Sequence, residues 1–265
     1  NDRLFYVFCA GVTSATNGFF YLIVDVKYNN GQGRVIQKNV QLRNDTLADC
    51  VSVVRHGNGR DWWVFVRTVS AYTARNDITG YLVTPNGVFA QNTQYVGPAV
   101  LYSSFKRTKF NIDGSHIYLV DPIGYIERFD FDRCTGLFSN RTIYSTINGP
   151  YLRFWDFEIS PDETKLYAVR TMEGPQQDSS ILMQFELDTS TFISSAQVLG
   201  LYKEPDRGGA LKLGPDGKIY YSMSAAIPDP CYDYLYCYST VNTTNSNLSV
   251  INYPDSAYPA CDYQP

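Results

Sequence analysis

The string His56-Gly57-Asn58-Gly59-Arg60-Asp61-Trp62-Trp63 puts an imidazole, a guanidinium and a carboxylate on one glycine-rich turn. In a cleft, such a set supplies a general base, an anion clamp and an orienting carboxylate. The same residues also suit an ordinary turn. Gly57 and Gly59 permit the bend, Arg60 and Asp61 bond turn backbone, and Trp62 or Trp63 enters the core. The second use is the expected one, because no other titratable cluster in the sequence pairs with the string. His56 is therefore read as structural. His56, Asn58, Arg60, Asp61 and Trp62 stand as candidate binding residues, and no residue is assigned to catalysis.

Asp130-Phe131-Asp132-Arg133-Cys134-Thr135-Gly136 places two carboxylates at i and i+2, on one face of a strand. A hydrolase pair or a calcium site is the reactive reading. Calcium loops need more oxygen ligands at close spacing, so the expectation is an Asp-capped strand end closed by Gly136. There is no Gly-x-Ser-x-Gly elbow, phosphate loop or His-Glu-x-x-His helix. His116, the second of two histidines, is expected to face solvent. With two His and no Cys-x-x-Cys, neither a metal nor a cofactor is expected.

Whatever these residues do, strands must position them. Asp113-Gly114-Ser115-His116-Ile117-Tyr118, Asp162-Glu163-Thr164-Lys165-Leu166-Tyr167 and Asp216-Gly217-Lys218-Ile219-Tyr220 repeat one pattern, a turn led by Asp and a strand reaching Tyr. The intervals are 49 and 54 residues, and a degenerate copy is read 52 residues upstream at Asp61-Trp62-Trp63-Val64. Strand repeats with a period of roughly 40–50 residues are the signature of a β-propeller blade. Apolar alternation marks strands at Phe19–Tyr28, Val51–Val54, Trp62–Thr68, Gly80–Thr84, His116–Val120, Tyr125–Asp130, Trp155–Ile159, Lys165–Arg170, Ser180–Glu186, Ala210–Leu213, Lys218–Ser222 and Leu248–Tyr253. The expected fold is all-β, with five blade-like units at about 1–45, 46–95, 96–147, 148–203 and 204–253. An exit segment is expected at 254–265. The chain opens on a strand pattern, Leu4-Phe5-Tyr6-Val7-Phe8. The expectation is therefore an open arc of a six- to seven-bladed ring, with the first unit poorest in strands.

Of the 265 residues, 44% are hydrophobic and 15% aromatic, enough for a sizeable core. Only 18% are charged, with a net charge of -4 and no basic stripe, which argues against nucleic acid as a partner. No apolar run is long enough to span a membrane. Six cysteines fit disulfides in an oxidising compartment. Cys231 and Cys237 are the one close pair, and a bridge between them is expected. Asn-x-Ser/Thr sequons occur at Asn44, Asn140, Asn242 and Asn247.

The strings Val24–Gly33, His56–Trp63, Phe129–Asn140, Phe157–Tyr167, Leu213–Tyr220 and Leu248–Asp255, in this order, resemble secreted propeller-like proteins of Bacteroidota. That group is associated with type IX secretion and carries a C-terminal sorting domain, which does not occur in this sequence. The resemblance covers nearly the whole chain and is most specific around Trp62 and Cys134. It implies a place at the cell surface or in the medium, with further blades upstream. It implies no catalytic residue. It also implies O-glycan attachment at Asp-Ser/Thr pairs, here at Thr46 and Ser256. Two partner classes follow: protein or glycan at the cell surface, or a secretion or surface assembly. The expected function is a non-catalytic extracellular binding or scaffold module. The alternatives are a glycan-active hydrolase or lyase with an axial site, and a structural subunit of a surface assembly.

Overall fold

The computed structural model describes residues 3–11, 18–70, 73–100, 106–121, 124–146, 153–172, 179–203, 206–207, 209–225 and 246–265. They form antiparallel sheets in chain order, joined by turns and one short helical turn at Tyr28–Gly31. The first sheet has three strands, β1 (Leu4–Ala10), β2 (Phe19–Asp25) and β3 (Arg34–Arg43). The second has four, β4 (Leu47–Arg55), β5 (Trp62–Thr68), β6 (Arg75–Thr84) and β7 (Gly87–Val100). The third is β8 (Arg107–Phe110), β9 (His116–Val120), β10 (Tyr125–Asp132) and β11 (Leu137–Thr146). The fourth is β12 (Arg153–Ile159), β13 (Lys165–Met172), β14 (Ser179–Glu186) and β15 (Gln197–Lys203). A two-stranded ribbon pairs β16 (Asp206–Arg207) with β19 (Ser224–Ala225). The fifth sheet is β17 (Leu211–Leu213), β18 (Ile219–Tyr221), β20 (Ser249–Ile251) and β21 (Tyr263–Gln264).

Residues 254–265 are therefore no exit segment. They supply the fourth strand of the fifth sheet, and Cys261 is fully buried in the core cluster there. A Pro- and Tyr-rich stretch with little alternation gives no strand signal, so only the pairing with β20 reveals it.

The chain divides into two compact units, residues 1–110 with 130–139, and residues 111–129 with 140–265. In the first unit β5 is buried on both faces. Val64 and Val66 pack with Phe19, Leu47, Tyr81 and Val83. Trp63 and Phe65 meet Phe131 on the other face, with Phe110 and Phe138 around Phe65. This explains the continuous apolar run at Trp62–Val66, where a half-exposed strand would alternate. In the second unit Phe154, Phe157, Leu166, Ala168 and Phe185 form one core, and Tyr167, Val169, Leu182, Ile219 and Tyr221 another.

A strand edge leaves backbone groups that must be satisfied when buried. Here side chains of one sheet's first strand reach the next. Ser52 Oγ donates to the Thr108 carbonyl at 2.8 Å. Asp156 and Glu158 of β12 accept from the N–H groups of Leu211 and Leu213 at 2.8 and 3.0 Å. Their carboxylates are thus spent on strand-to-strand fastening. Among the described residues, no helix is long and apolar enough to cross a membrane.

Candidate functional site

Four turns, joining β4–β5, β8–β9, β12–β13 and β17–β18, are built alike, the last closing one residue sooner. The N–H groups of His56, Asn111, Ser160 and Gly214 donate to the carbonyls of Asp61, His116, Lys165 and Lys218 at 2.8–3.1 Å. The N–H groups of Gly59, Gly114, Glu163 and Gly217 donate back to the carbonyls of the same four residues. A short side chain caps each bend. Asn58, Asp113, Asp162 and Asp216 accept from the N–H two residues on, belonging to Arg60, Ser115, Thr164 and Lys218. This is the local side-chain turn that Asn and Asp favour.

The superposition of bonds corrects the repeat register. Asn58, not Asp61, takes the place of the leading Asp, so the first interval is 55 residues rather than 52. Asn makes the same cap as Asp, which is why a search for Asp misplaces the copy. Trp63 then occupies the place of Tyr118 and Tyr167, and all three are buried.

Within the β4–β5 turn the polar side chains of the expected site bond one another and the turn backbone. His56 Nδ1 accepts from the Asn58 N–H at 2.9 Å, and its ring stacks on Trp63 at 5.5 Å. Asn58 Nδ2 donates to Asp61 Oδ2 at 2.8 Å, and Arg60 grips the same carboxylate through Nε and Nη2 at 2.8 and 3.0 Å. Arg60 and Asn58 together hold the Asp61 carboxyl at about 2. The turn is fastened outward by Gly57 N–H and Trp63 Nε1, both donating to the Arg133 carbonyl, at 3.0 and 2.8 Å. A Cβ on Gly57 would stand 2.3 Å from Cys134 Sγ. Trp62 stays 44% exposed beneath the Arg55 guanidinium. The five candidate residues are thus brought together, in an arrangement that builds a turn.

Asp132 accepts from the N–H groups of Cys134 and Thr135, and Gly136 follows at φ 74°. This is the capped strand end expected there. Thr46 and Ser256 are both half-buried, while Asn44, Asn140 and Asn247 are exposed. Cys231, Cys237 and Asn242 lie outside the described residues. The four cysteines within them, Cys9, Cys50, Cys134 and Cys261, are free thiols.

The sequence reading missed a second cluster. Glu163 sits where the other three turns have glycine, at φ 59° against 71°, 75° and 78° for Gly59, Gly114 and Gly217. Its carboxylate accepts from Asn111 Nδ2 at 2.5 Å and from the Tyr118 hydroxyl at 2.8 Å, and meets His116 Nδ1 at 2.8 Å. Burial, and the carboxylate beside it, push the Tyr118 phenol far above its ordinary range. His116 is accordingly half-buried and fastened, not a solvent-facing strand residue. A left-handed φ on a non-glycine residue costs about 1–2 kcal/mol, so the side chain's contacts must outweigh it. The one available sequence signal was that Glu163 breaks the glycine pattern of the repeat.

No family model matches the chain, and no curated protein matches it. Several solved structures do. An exo-β-1,3-galactanase from Phanerochaete chrysosporium, with galactose, aligns at TM-score 0.51 and 8% identity, over 83% of this chain and 54% of that one. The exo-β-1,3-galactanase from Clostridium thermocellum aligns at TM-score 0.50 and 9% identity, over 83% and 52%. The β-propeller domain of Cps50 (Swd1) from Myceliophteria thermophila aligns at TM-score 0.43 and 9% identity, over 78% and 64%. This chain spans about half the length of the two galactanases. At such identities the likeness is one of fold. The chain is an all-β protein of the β-propeller class.

Proposed function

We propose that this propeller is a non-catalytic binding module that acts outside the cell, as part of a larger secreted or surface protein. The Bacteroidota type IX secretion group that its strings resemble is the proposed setting. One observation carries the reading: the conspicuous titratable groups serve the fold. Asp61 is locked by Arg60 and Asn58, Glu163 by three donors, and Asp156 and Glu158 bond strand backbone. Meanwhile Trp62, Tyr95 and Ile112 remain exposed, the kind of side chain that anchors contacts.

A glycan-active hydrolase is the second reading, favoured by the fold shared with the two galactanases. Affinity electrophoresis separates the two. The purified chain is expected to be retarded in a gel carrying a polysaccharide or a solubilised envelope fraction. It is expected to release neither reducing ends nor unsaturated products. Sustained release of either product overturns the non-catalytic reading, and absence of any retardation overturns the binding reading.

A further inference from the structure

The connection between β20 and β21 is, like the ten-residue β14–β15 connection, a long one. It runs over residues 252–262, eleven residues, where the β10–β11 connection turns in four. The loop is held from beneath. Tyr167 and Gln184, both buried in the fourth sheet, spend their polar ends on it. The Tyr167 hydroxyl donates to the Pro254 carbonyl at 2.8 Å. Gln184 Nε2 donates to the Ser256 carbonyl, and Gln184 Oε1 accepts from the Tyr258 N–H, each at 2.8 Å. Asp255 Oδ1 accepts from the Asp162 N–H at 3.0 Å. The loop also closes on itself through Tyr253 N–H to the Cys261 carbonyl and Ser256 N–H to the Tyr253 carbonyl.

This scaffold keeps two rings in solvent, Tyr253 at 62% and Tyr258 at 43% exposure, with Asp255 exposed between them. Burying an aromatic ring is favourable, and a buried amide must be satisfied. A network that satisfies its buried amide by holding a loop whose rings stay outside is the arrangement of a supported binding site. We propose that the loop Tyr253–Ala260 is a carbohydrate platform that takes one or two rings of a neutral oligosaccharide. Tyr253 and Tyr258 offer ring faces to sugar C–H groups, and the Asp255 carboxylate accepts from sugar hydroxyls. A stable protein interface buries about 800 Å² on each side, more than one loop of this length presents. The Asp162 and Asp255 carboxylates repel an anionic glycan.

The proposal deepens the binding reading above and rests on it. Its test uses the whole chain in affinity electrophoresis against β-1,3-galactan, xylan, β-1,4-mannan and polygalacturonate, with deca-lysine peptide binding measured separately. At least one neutral polysaccharide is expected to retard the chain. Tyr253→Ala and Tyr258→Ala are each expected to weaken that retardation at least tenfold, with the melting temperature unchanged, and Leu201→Ala, at an exposed apolar residue of β15, to leave it intact. Retardation that persists in the Tyr253→Ala/Tyr258→Ala double variant overturns the platform while leaving the binding reading standing. So does binding of deca-lysine alone, lost in Asp255→Asn. A chain retarded by polygalacturonate and by no neutral polysaccharide overturns the assignment of ligand class. Retardation by nothing, the solubilised envelope included, fails both readings.

Discussion

The β4–β5 and β12–β13 turns have the same backbone bonds and opposite economies. In the first, a conspicuous string of His, Arg, Asp and Trp closes on itself, and glycine takes the left-handed position. In the second, an inconspicuous Glu takes that position and directs its carboxylate to Asn111 of the β8–β9 turn and to His116 and Tyr118 of β9. Chemical richness in a sequence is thus a poor guide to where a fold is fastened. A turn full of polar groups can satisfy itself locally. A single residue that tolerates an unfavourable φ points to contacts beyond its own turn.

The comparison is most exposed at Glu163. Glu163→Ala is expected to destabilise the chain by about 2–3 kcal/mol, since it removes three bonds to a charged acceptor and strands partly buried donors. Glu163→Gly is expected to recover about 1 kcal/mol of that, because glycine relaxes the left-handed backbone. Urea unfolding of both variants decides it. If Glu163→Gly is more stable than the parent, the contacts do not outweigh the strain and the contrast between the turns collapses.

Next is Gly57→Ala. The added methyl meets Cys134 Sγ, and overpacking is expected to cost about 2 kcal/mol. Gly59→Ala, with open space around its Cβ position, is expected to cost about 1 kcal/mol from backbone conformation alone. Equal losses in the two thermal melts would show that the Arg133–Cys134 contact does not constrain the first turn.

The smallest effects belong to the polar residues that drew attention first. His56→Ala is expected to lower the melting temperature slightly, by less than about 1 kcal/mol of stability, and to leave any retention on polysaccharide unchanged. A variant that keeps its melting temperature and loses binding or turnover would return His56 to a functional site. Asp61 adds a pH dependence. Its carboxyl lies at about 2 in the folded chain against an ordinary 3.8. The stability it contributes is therefore fully present above the unfolded value and lost as pH falls from about 4 to about 2. Asp61→Asn is expected to flatten the acid limb of the stability curve in that window. An unchanged limb would mean that the Arg60 and Asn58 contacts do not persist in solution.

Strand by strand, legibility followed burial. The strands legible from their apolar residues, such as β5, β9, β13 and β14, are those packed on their faces by neighbours. The outermost strands β3, β7, β11 and β15 left no signal. β3 and β15 are largely exposed along their length, so no apolar alternation is demanded of them. They are specified instead by pairing with β2 and β14. The same holds for β21, hidden in a Pro-rich tail until its register with β20 is known.

By itself the sequence determined the class of fold, the repeat and the capped turns, because these rest on local chemistry: alternation over a few residues, Asn or Asp at a bend, glycine at positive φ. The tertiary structure decided the register of the first repeat, the fifth sheet's last strand and the use of Glu163, His116, Tyr167 and Gln184. Apart from that register, which rests on bonds within one turn, each of these depends on groups more than ten residues apart in the chain. Hydrogen-bond partners at that distance leave no periodicity to read, and only the packed sheets bring them within 3 Å.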